Sequence, residues 1–248
     1  MTEVQTVPVM HLEVAHLLGD RCEILIPAQA QRLRPAVVFF HGHGMDETQL
    51  RTRTDLGWRA NQRGWLAASA LLGSRAHWGG SAALEAAGRL LSHLVTQHSA
   101  DPQRLYLVGF SMGGGTALLA AINPLSLPYR AAAVASSQGF SDLRSLAQAN
   151  PTLAGSILRA HPSLRRSSRT ASHSLLKQAE GLRGIPVYLE HGLADLSVPP
   201  AQTQRLAERL SELDIPADVH LYPRRGHSER TIQTSAILDF FARTTPPL

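Results

Sequence analysis

The stretch Leu105–Ile122, LYLVGFSMGGGTALLAAI, decides the fold. It begins as an apolar run typical of a buried strand, turns through the motif GFSMG and continues in small residues of helical character. Such a strand–turn–helix presents its serine at the carboxyl edge of a parallel sheet, and the flanking glycines allow close approach of the backbones. The pattern therefore predicts that Ser111 is a nucleophile, rather than part of a glycine-rich turn that only joins two elements.

Short apolar runs alternate with longer helical patterns over most of the chain. Ala36–His41 is continuously apolar, as expected for a strand buried on both faces. The predicted strands are Met10–Ala15, Arg21–Ile26, Ala36–His41, Leu66–Ala70, Leu105–Gly109, Ala131–Ala135, Pro186–His191 and Ala217–Tyr222; the predicted helices are Leu50–Arg63, Ser81–His98, Met112–Ile122, Ala201–Leu213 and Ser228–Phe241. Asp46 and Gln49 resemble a capping box. The alternation predicts an α/β fold with a mostly parallel eight-stranded sheet and helices on both faces.

Residues 139–184 interrupt this alternation, because they contain no clear strand. A long insertion between two core strands is more often functional than idle. We predict a small, mostly helical cap within a single domain spanning residues 1–248. Its basic residues are Arg144, Arg159, Arg165, Arg166, Arg169 and Lys177. Arg165 and Arg166 are candidates for holding an anionic substrate at the mouth of a pocket, whereas a solvated cap surface is the plainer alternative.

A serine nucleophile needs a base, and the base needs a carboxylate that orients it. Asp195 lies in HGLADLSVP, directly after a predicted strand, and His227 lies in RRGHS, after the next strand. Both loops follow the carboxyl ends of strands, where they can reach Ser111. Asp214 and Asp218 are alternative acids, but they flank a helix–strand turn at the opposite edge of the sheet.

The loop HGHG, which follows the strand AVVFF, is a candidate oxyanion hole. Such a hole needs two backbone N–H groups near the serine, and those of His43 and Met112 are the candidates. His41 and His43 could also suggest zinc, but two histidines without a convincing third ligand do not favour that interpretation. Trp78 is either a wall of the substrate pocket or an ordinary buried aromatic residue.

Composition and charge limit the other function classes. The net charge is +5, but 23 arginines are spread along the chain against the single lysine Lys177, which does not favour nucleic-acid binding. There is no apolar run long enough for a membrane span, and the first residues do not resemble a secretory signal. The single cysteine, Cys22, excludes an internal disulfide framework and a cysteine-rich zinc site. We expect a cytoplasmic location, and the sequence does not indicate an oligomeric state.

The chain resembles the α/β-hydrolase superfamily, and within it the prolyl oligopeptidase-like and dienelactone-hydrolase-like esterases. The resemblance covers nearly the whole chain through the segments FFHGHGMDE, DPQRLYLVGFSMGGGTAL, HGLADLSVP and PRRGHS. It implies that Ser111 is the nucleophile, His227 the base and Asp195 its orienting acid, with no cofactor or metal. Serine at the elbow argues against the chemistries of relatives that carry cysteine or aspartate there.

The expected function is hydrolysis of carboxylic esters through an acyl-enzyme. The low aromatic content, 5%, and the arginine-bearing cap favour short acyl groups. An amidase or peptidase acting on small acyl-amino acids or peptides stays open, and so does an acyltransferase; ester-to-amide rate ratios and a competing alcohol separate them. A non-catalytic binding protein on this fold would usually lack a triad residue, and this sequence keeps all three.

Overall fold

The computed structural model describes residues 10–29, 33–123, 129–165 and 174–244. Its strands are β1 (His11–Leu17), β2 (Asp20–Ile26), β3 (Arg34–Phe40), β4 (Leu66–Ala70), β5 (Ala100–Phe110), β6 (Ala133–Ser137), β7 (Val187–Gly192) and β8 (Ala217–Tyr222). They form one sheet in the order β1-β2-β4-β3-β5-β6-β7-β8. Among these described strands, β2 runs antiparallel to both of its neighbours, β1 and β4, and every other neighbouring pair is parallel. The predicted mostly parallel, eight-stranded sheet is therefore confirmed.

Helices cover both faces of the sheet. The described helices are α1 (Gln49–Arg53), α2 (Leu56–Gln62), α3 (Ser81–His98), α4 (Met112–Ile122), α5 (Leu143–Ala149), α6 (Pro151–Ala160), α7 (Leu175–Gln178), α8 (Ala201–Glu212) and α9 (Thr234–Thr244). Val38 and Phe40 of β3 belong to the core beneath α3, α4 and α8, whereas Val37 and Phe39 belong to the core beneath α1, α2 and α9. The continuous apolar run in β3 thus serves two cores at once.

The helix predicted over Leu50–Arg63 is in fact two helices, α1 and α2. Thr54 lies between them in extended conformation, with φ −130° and ψ 161°. Its hydroxyl donates to the Leu50 carbonyl at 2.7 Å and accepts from the Leu56 N–H at 3.3 Å. Local bonds of this kind compete with helical hydrogen bonds and end the first helix. The predicted single helix was wrong at this point.

The closing helix predicted over Ser228–Phe241 begins later, as α9. A short 3₁₀ turn at Glu229–Thr231 precedes it. The N–H of Gln233 donates instead to the carboxylate of Glu190, at 3.1 Å, which holds this part of the chain against the sheet. The sequence did not predict this contact, because Glu190 is 43 positions away and no local pattern in the segment indicates the pairing.

The region between β6 and β7 is helical over its described residues. Besides α5, α6 and α7 it contains 3₁₀ turns at Pro162–Arg165 and Ala179–Leu182. The side chain of Asn150 caps α6 and also donates to the carbonyl of Ser197 at 2.9 Å, which ties α6 to the loop after β7. The predicted candidate Arg166, together with Arg169, lies outside the described residues. None of the helices in the described part of the chain is long and apolar enough to cross a membrane.

The contact between α4 and β3 allows a sharp test of the fold. A Cβ added at Gly113 would overlap the carbonyl of Phe40, so we expect Gly113→Ala to lower the free energy of unfolding by about 3 kcal/mol or more. Gly155→Ala is the matched control, because its Cβ would find only Arg159 Nη1, at 3.6 Å, inside a helix. It should be neutral or stabilising by up to about 1 kcal/mol. Urea unfolding measures both; equal midpoints would contradict the close contact.

Candidate active site

Ser111 occupies a strained turn between β5 and α4. Its backbone has φ 57° and ψ −120°, a conformation that costs a serine about 1–3 kcal/mol and that the surrounding structure must stabilise. Part of this support is the hydrogen bond from the Ser111 N–H to the Ser137 carbonyl, at 2.9 Å. A Cβ at Gly109 would overlap the carbonyl of Gly113, so the turn can close only with glycine there. The motif read from the sequence is therefore a physical requirement of this turn.

The structure brings the predicted serine, histidine and aspartate together. His227 Nε2 lies 2.9 Å from Ser111 Oγ, and His227 Nδ1 lies 2.6 Å from Asp195 Oδ2. Because a carboxylate only accepts, Nδ1 carries the proton and Nε2 has a free lone pair for the serine hydroxyl. This geometry allows proton transfer from Ser111 to His227.

Asp195 is held as a buried carboxylate. Its Oδ1 accepts from the N–H groups of Ser197, at 2.8 Å, and Val198, at 2.9 Å. Burial on its own raises the pKa of Asp195, but the hydrogen bonds from His191 and His227 outweigh burial, and the pKa falls well below its ordinary value. The group is therefore ionised at neutral pH, as an orienting acid must be.

His191 also supports Asp195, through the same oxygen that contacts His227. Its Nε2 lies 3.2 Å from Asp195 Oδ2 and 2.9 Å from the Val198 carbonyl, while its Nδ1 lies 2.7 Å from the hydroxyl of Thr203. Since both neighbours of Nε2 are acceptors, the proton lies on Nε2 and Thr203 donates to Nδ1. No role was predicted for His191 from the sequence. Its spacing four residues before Asp195 was the signal that could have found it.

The two alternative acids lie elsewhere. Asp214 follows the end of α8. Asp218 lies at the start of β8, where it pairs with His220 at 2.8 Å and with Arg243 at 2.5 Å. These partners hold the carboxylate at the amino edge of the sheet, and Ser111 lies at the carboxyl edge.

The backbone N–H groups of His43 and Met112 are available for an oxyanion. Neither has a hydrogen-bond acceptor among the residues that the structure describes. The loop that carries His43 is fixed on both sides, because Gly42 N–H donates to Gln49 Oε1 and Gly44 N–H to the Arg75 carbonyl, each at 2.7 Å. Donors held in advance of the reaction stabilise developing charge without further reorganisation.

Gln49 therefore acts differently from the predicted capping box. Asp46 Oδ1 accepts from the N–H of Thr48, at 3.1 Å, and from its hydroxyl, at 2.7 Å. The side chain of Gln49 is buried and turns to Gly42 instead of back toward Asp46. The residue expected to begin a helix thus shapes the loop of the candidate oxyanion hole.

Trp78 lies behind the site. Its side chain is fully buried, and its Nε1–H donates to Ser156 Oγ at 2.9 Å. The same hydroxyl lies 2.9 Å from His43 Nε2, and the rings of Trp78 and His43 are 5.3 Å apart. Burial lowers the pKa of His43, and the positive charge of Arg159 lowers it further, so the ring is neutral. The structure thus places Trp78 as a buried support of the His43 loop.

The candidate substrate cavity is small and contains Ser111. It has a volume of about 220 Å³. Phe110, Met45 and Leu153 give it apolar walls, and Glu229 lies at its border. Grooves of about 570 and 660 Å³ occur elsewhere on the surface, but neither touches the serine.

His43 lines this cavity, but Arg165 and His41 do not. Arg165 is exposed at the end of its 3₁₀ turn and is not among the lining residues. His41 and His43 do not form a metal pair: His41 Nε2 lies 2.8 Å from the Leu71 carbonyl, whereas His43 turns to Ser156.

A serine facing an imidazole that is backed by a carboxylate, with two free amides beside it, defines the serine hydrolase class. The sheet and its serine elbow define the α/β-hydrolase fold. Within this class the chain belongs to the prolyl oligopeptidase family, whose model matches residues 80–246. The resemblance read from the sequence is thereby confirmed.

Solved structures agree with this assignment. A puromycin-hydrolyzing peptidase from Mycobacterium tuberculosis has a TM-score of 0.81 and 26% identity, over 99% of this chain and 41% of its own. The Pyrococcus horikoshii acylaminoacyl peptidase has a TM-score of 0.77 and 14% identity, and the match covers 98% of this chain and 43% of the peptidase. Acetyl xylan esterase 1 from Thermoanaerobacterium has a TM-score of 0.65 and 14% identity, and the match covers 96% of this chain and 88% of the esterase. At 14% identity, the acylaminoacyl peptidase and the esterase show the fold alone.

This chain thus spans about two fifths of the length of those peptidases. A search of curated proteins found no match.

The pKa of Asp195 predicts how stability changes with pH. A carboxyl group whose pKa is lower in the folded than in the unfolded state stabilises the fold above its unfolded pKa, and this contribution is lost as the pH falls. The stability difference between wild type and Asp195→Asn should therefore be largest near neutral pH and shrink below about pH 4. Urea unfolding of both proteins between about pH 3 and 7, a range that includes the ordinary aspartate pKa, measures this stability difference. A difference that does not change with pH would contradict the assignment.

Proposed function

We propose that this protein is a serine esterase that hydrolyses small carboxylic esters with short acyl groups. The observation that carries the proposal is the hydrogen-bonded chain from Ser111 through His227 to Asp195, next to a cavity of about 220 Å³. Membership of the prolyl oligopeptidase family supports the serine chemistry. The acetyl xylan esterase, covered over 88% of its chain, has the same fold, which supports ester hydrolysis on this scaffold.

Acylation begins at Ser111. Its Oγ attacks the acyl carbon while His227 Nε2 takes the hydroxyl proton. Asp195 keeps the imidazole in the tautomer that can accept this proton, and its negative charge stabilises the imidazolium. The carbonyl oxygen becomes an oxyanion that the N–H groups of His43 and Met112 bind. The alcohol then leaves with the proton from His227.

Deacylation follows the same route in reverse. A water molecule loses a proton to His227 and attacks the acyl carbon of the acyl-enzyme. The second oxyanion meets the same two N–H donors, and Ser111 leaves as the alcohol by recovering the proton. Every proton transfer uses groups of this chain or water.

The size of the cavity supports a short acyl group. Pockets for drug-sized ligands are about 300–1,000 Å³, and this cavity is smaller. The ring of Phe110 and the side chain of Leu153 can contact a few methylenes. A long chain would have to leave the cavity and lie against the polar surface beyond Glu229.

An aminoacyl amidase or peptidase is the second candidate function. Glu229 borders the cavity and forms no ion pair with a residue in the described part of the chain, so its carboxylate could hold a protonated amine. The Mycobacterium tuberculosis relative is a puromycin-hydrolyzing peptidase. An ester alcohol is the easier leaving group, and the same triad would cleave both bonds.

We also propose that residues 1–248 form a single domain, because the eight described strands belong to one sheet. We further propose a cytoplasmic location. The thiol of Cys22 is buried, and burial raises its pKa to about 12, so it stays protonated and unreactive. A chain with a single unreactive thiol forms no internal disulfide, so its fold does not depend on an oxidising compartment.

Replacing the nucleophile tests the proposed chemistry. Ser111→Ala should lower kcat for p-nitrophenyl butyrate by about 10⁴- to 10⁶-fold and abolish labelling by a fluorophosphonate. Ser211→Ala, on the exposed side of α8, is the matched control and should behave as wild type. Labelling that persists in Ser111→Ala would show that another residue is the nucleophile.

Substrate comparison tests the proposed specificity. The kcat/KM for p-nitrophenyl butyrate should exceed that for the dodecanoate by about tenfold or more, measured where both esters are monomeric, because the cavity cannot hold the longer chain. It should also exceed that for alanine p-nitroanilide. A larger kcat/KM for the anilide, which falls in Glu229→Gln, would establish the second candidate function instead.

A further inference from the structure

Three potential metal ligands meet far from Ser111. Glu13 lies on the edge strand β1, and His93 and His98 lie near the end of α3. The Nε2 atoms of the two histidines are 3.3 Å apart. Oε1 of Glu13 is 3.7 Å from His93 Nε2 and 3.5 Å from His98 Nε2. The three atoms therefore form a nearly equilateral triangle.

This triangle has the dimensions of a zinc site. The point equidistant from its three corners lies about 2.0 Å from each, and zinc–nitrogen and zinc–oxygen bonds are about 2.0–2.2 Å long. An ion slightly out of the plane would have three protein ligands and one open position. Two imidazoles and one carboxylate are a recognised zinc ligand set.

Hydrogen bonds alone account poorly for the cluster. One imidazole can donate to the other at 3.3 Å, but the carboxylate is 3.5 and 3.7 Å away, beyond the usual limit of about 3.2 Å for an N–H···O bond. Two Nε2 atoms and a carboxylate oxygen at these mutual distances instead match the spacing that a shared cation requires.

We propose that Glu13, His93 and His98 bind a zinc ion. Imidazole nitrogens favour zinc over magnesium and calcium, which prefer an all-oxygen shell. The side chain of His98 is 10% exposed and that of Glu13 is 37% exposed, so water and a metal ion can reach the cluster from the Glu13 side.

The ion has a structural role. β1 pairs with β2 alone among the described strands, and the ion would link it to the end of α3. Glu13 lies near the start of β1, and His98 precedes the start of β5, whereas Ser111 follows the end of β5. The zinc therefore lies at the opposite edge of the sheet and takes no part in ester hydrolysis.

Zinc titration of the full chain tests the site. Chelator-treated protein should bind one zinc ion by equilibrium dialysis, and Tm should rise by about 5–10 °C when free zinc is about 100-fold above Kd. Magnesium at the same concentration should leave Tm unchanged. Cobalt bound in place of zinc should give the intense visible absorption of a four-coordinate ion.

Variants assign the binding to these residues. His93→Ala and His98→Ala should each lose the zinc-dependent shift in Tm, and Glu13→Gln should weaken binding by about tenfold or more. His16→Ala is the matched control, since His16 is exposed on the same strand, and it should keep the full shift.

Two results would overturn the proposal: a wild-type protein whose Tm does not respond to zinc, or folded variants that keep one zinc per chain. If a histidine variant fails to fold, Glu13→Gln decides, because Glu13 is partly exposed and its amide keeps the shape of the side chain.

Discussion

The close contact between the start of α4 and the ends of β3 and β5 is the constraint on which the rest of the site depends. Gly109 and Gly113 leave no room for a side chain there, and this closeness forces Ser111 into its positive φ. The same turn leaves the Met112 N–H without an acceptor among the described residues. Ser111 and the Met112 N–H therefore share one piece of backbone, whereas the His43 N–H comes from the separate loop after β3.

The carboxylate of Asp195 is also held in a fixed position. Asp195 accepts from two backbone N–H groups and two imidazoles, so each of its oxygens has a fixed partner before the imidazole of His227 takes part in any proton transfer. A carboxylate that is already satisfied does not need to reorganise when His227 becomes charged. Its low pKa and its orienting role thus have the same physical origin.

Much of this arrangement could be predicted from the sequence. The G-x-S-x-G turn, the order Ser111, Asp195, His227 and the glycine-flanked His43 are local signals, and the structure brings these residues together. The break at Thr54 and the late start of α9 were missed, since they depend on side-chain bonds to atoms distant in sequence or not implied by helical periodicity.

The cluster of Glu13 with two histidines of α3 could not be predicted from the sequence either. Glu13 is 80 positions from His93 in the sequence, and neither histidine stands in a metal-binding spacing that a sequence pattern would reveal. Only the packing of α3 against the edge strand brings them together. Contacts between elements, rather than within them, thus account for what the sequence did not predict.

The helical insertion between β6 and β7 contacts both the cavity and the loop of the candidate oxyanion hole. Ser156 of α6 bonds both His43 and Trp78, and Leu153 of the same helix lines the cavity. A movement of α6 that enlarged the cavity would therefore also disturb the loop that carries the His43 N–H. In the proposed esterase one helix would both limit the acyl group and support the candidate oxyanion hole, so acceptance of a longer acyl chain would weaken the stabilisation of the oxyanion.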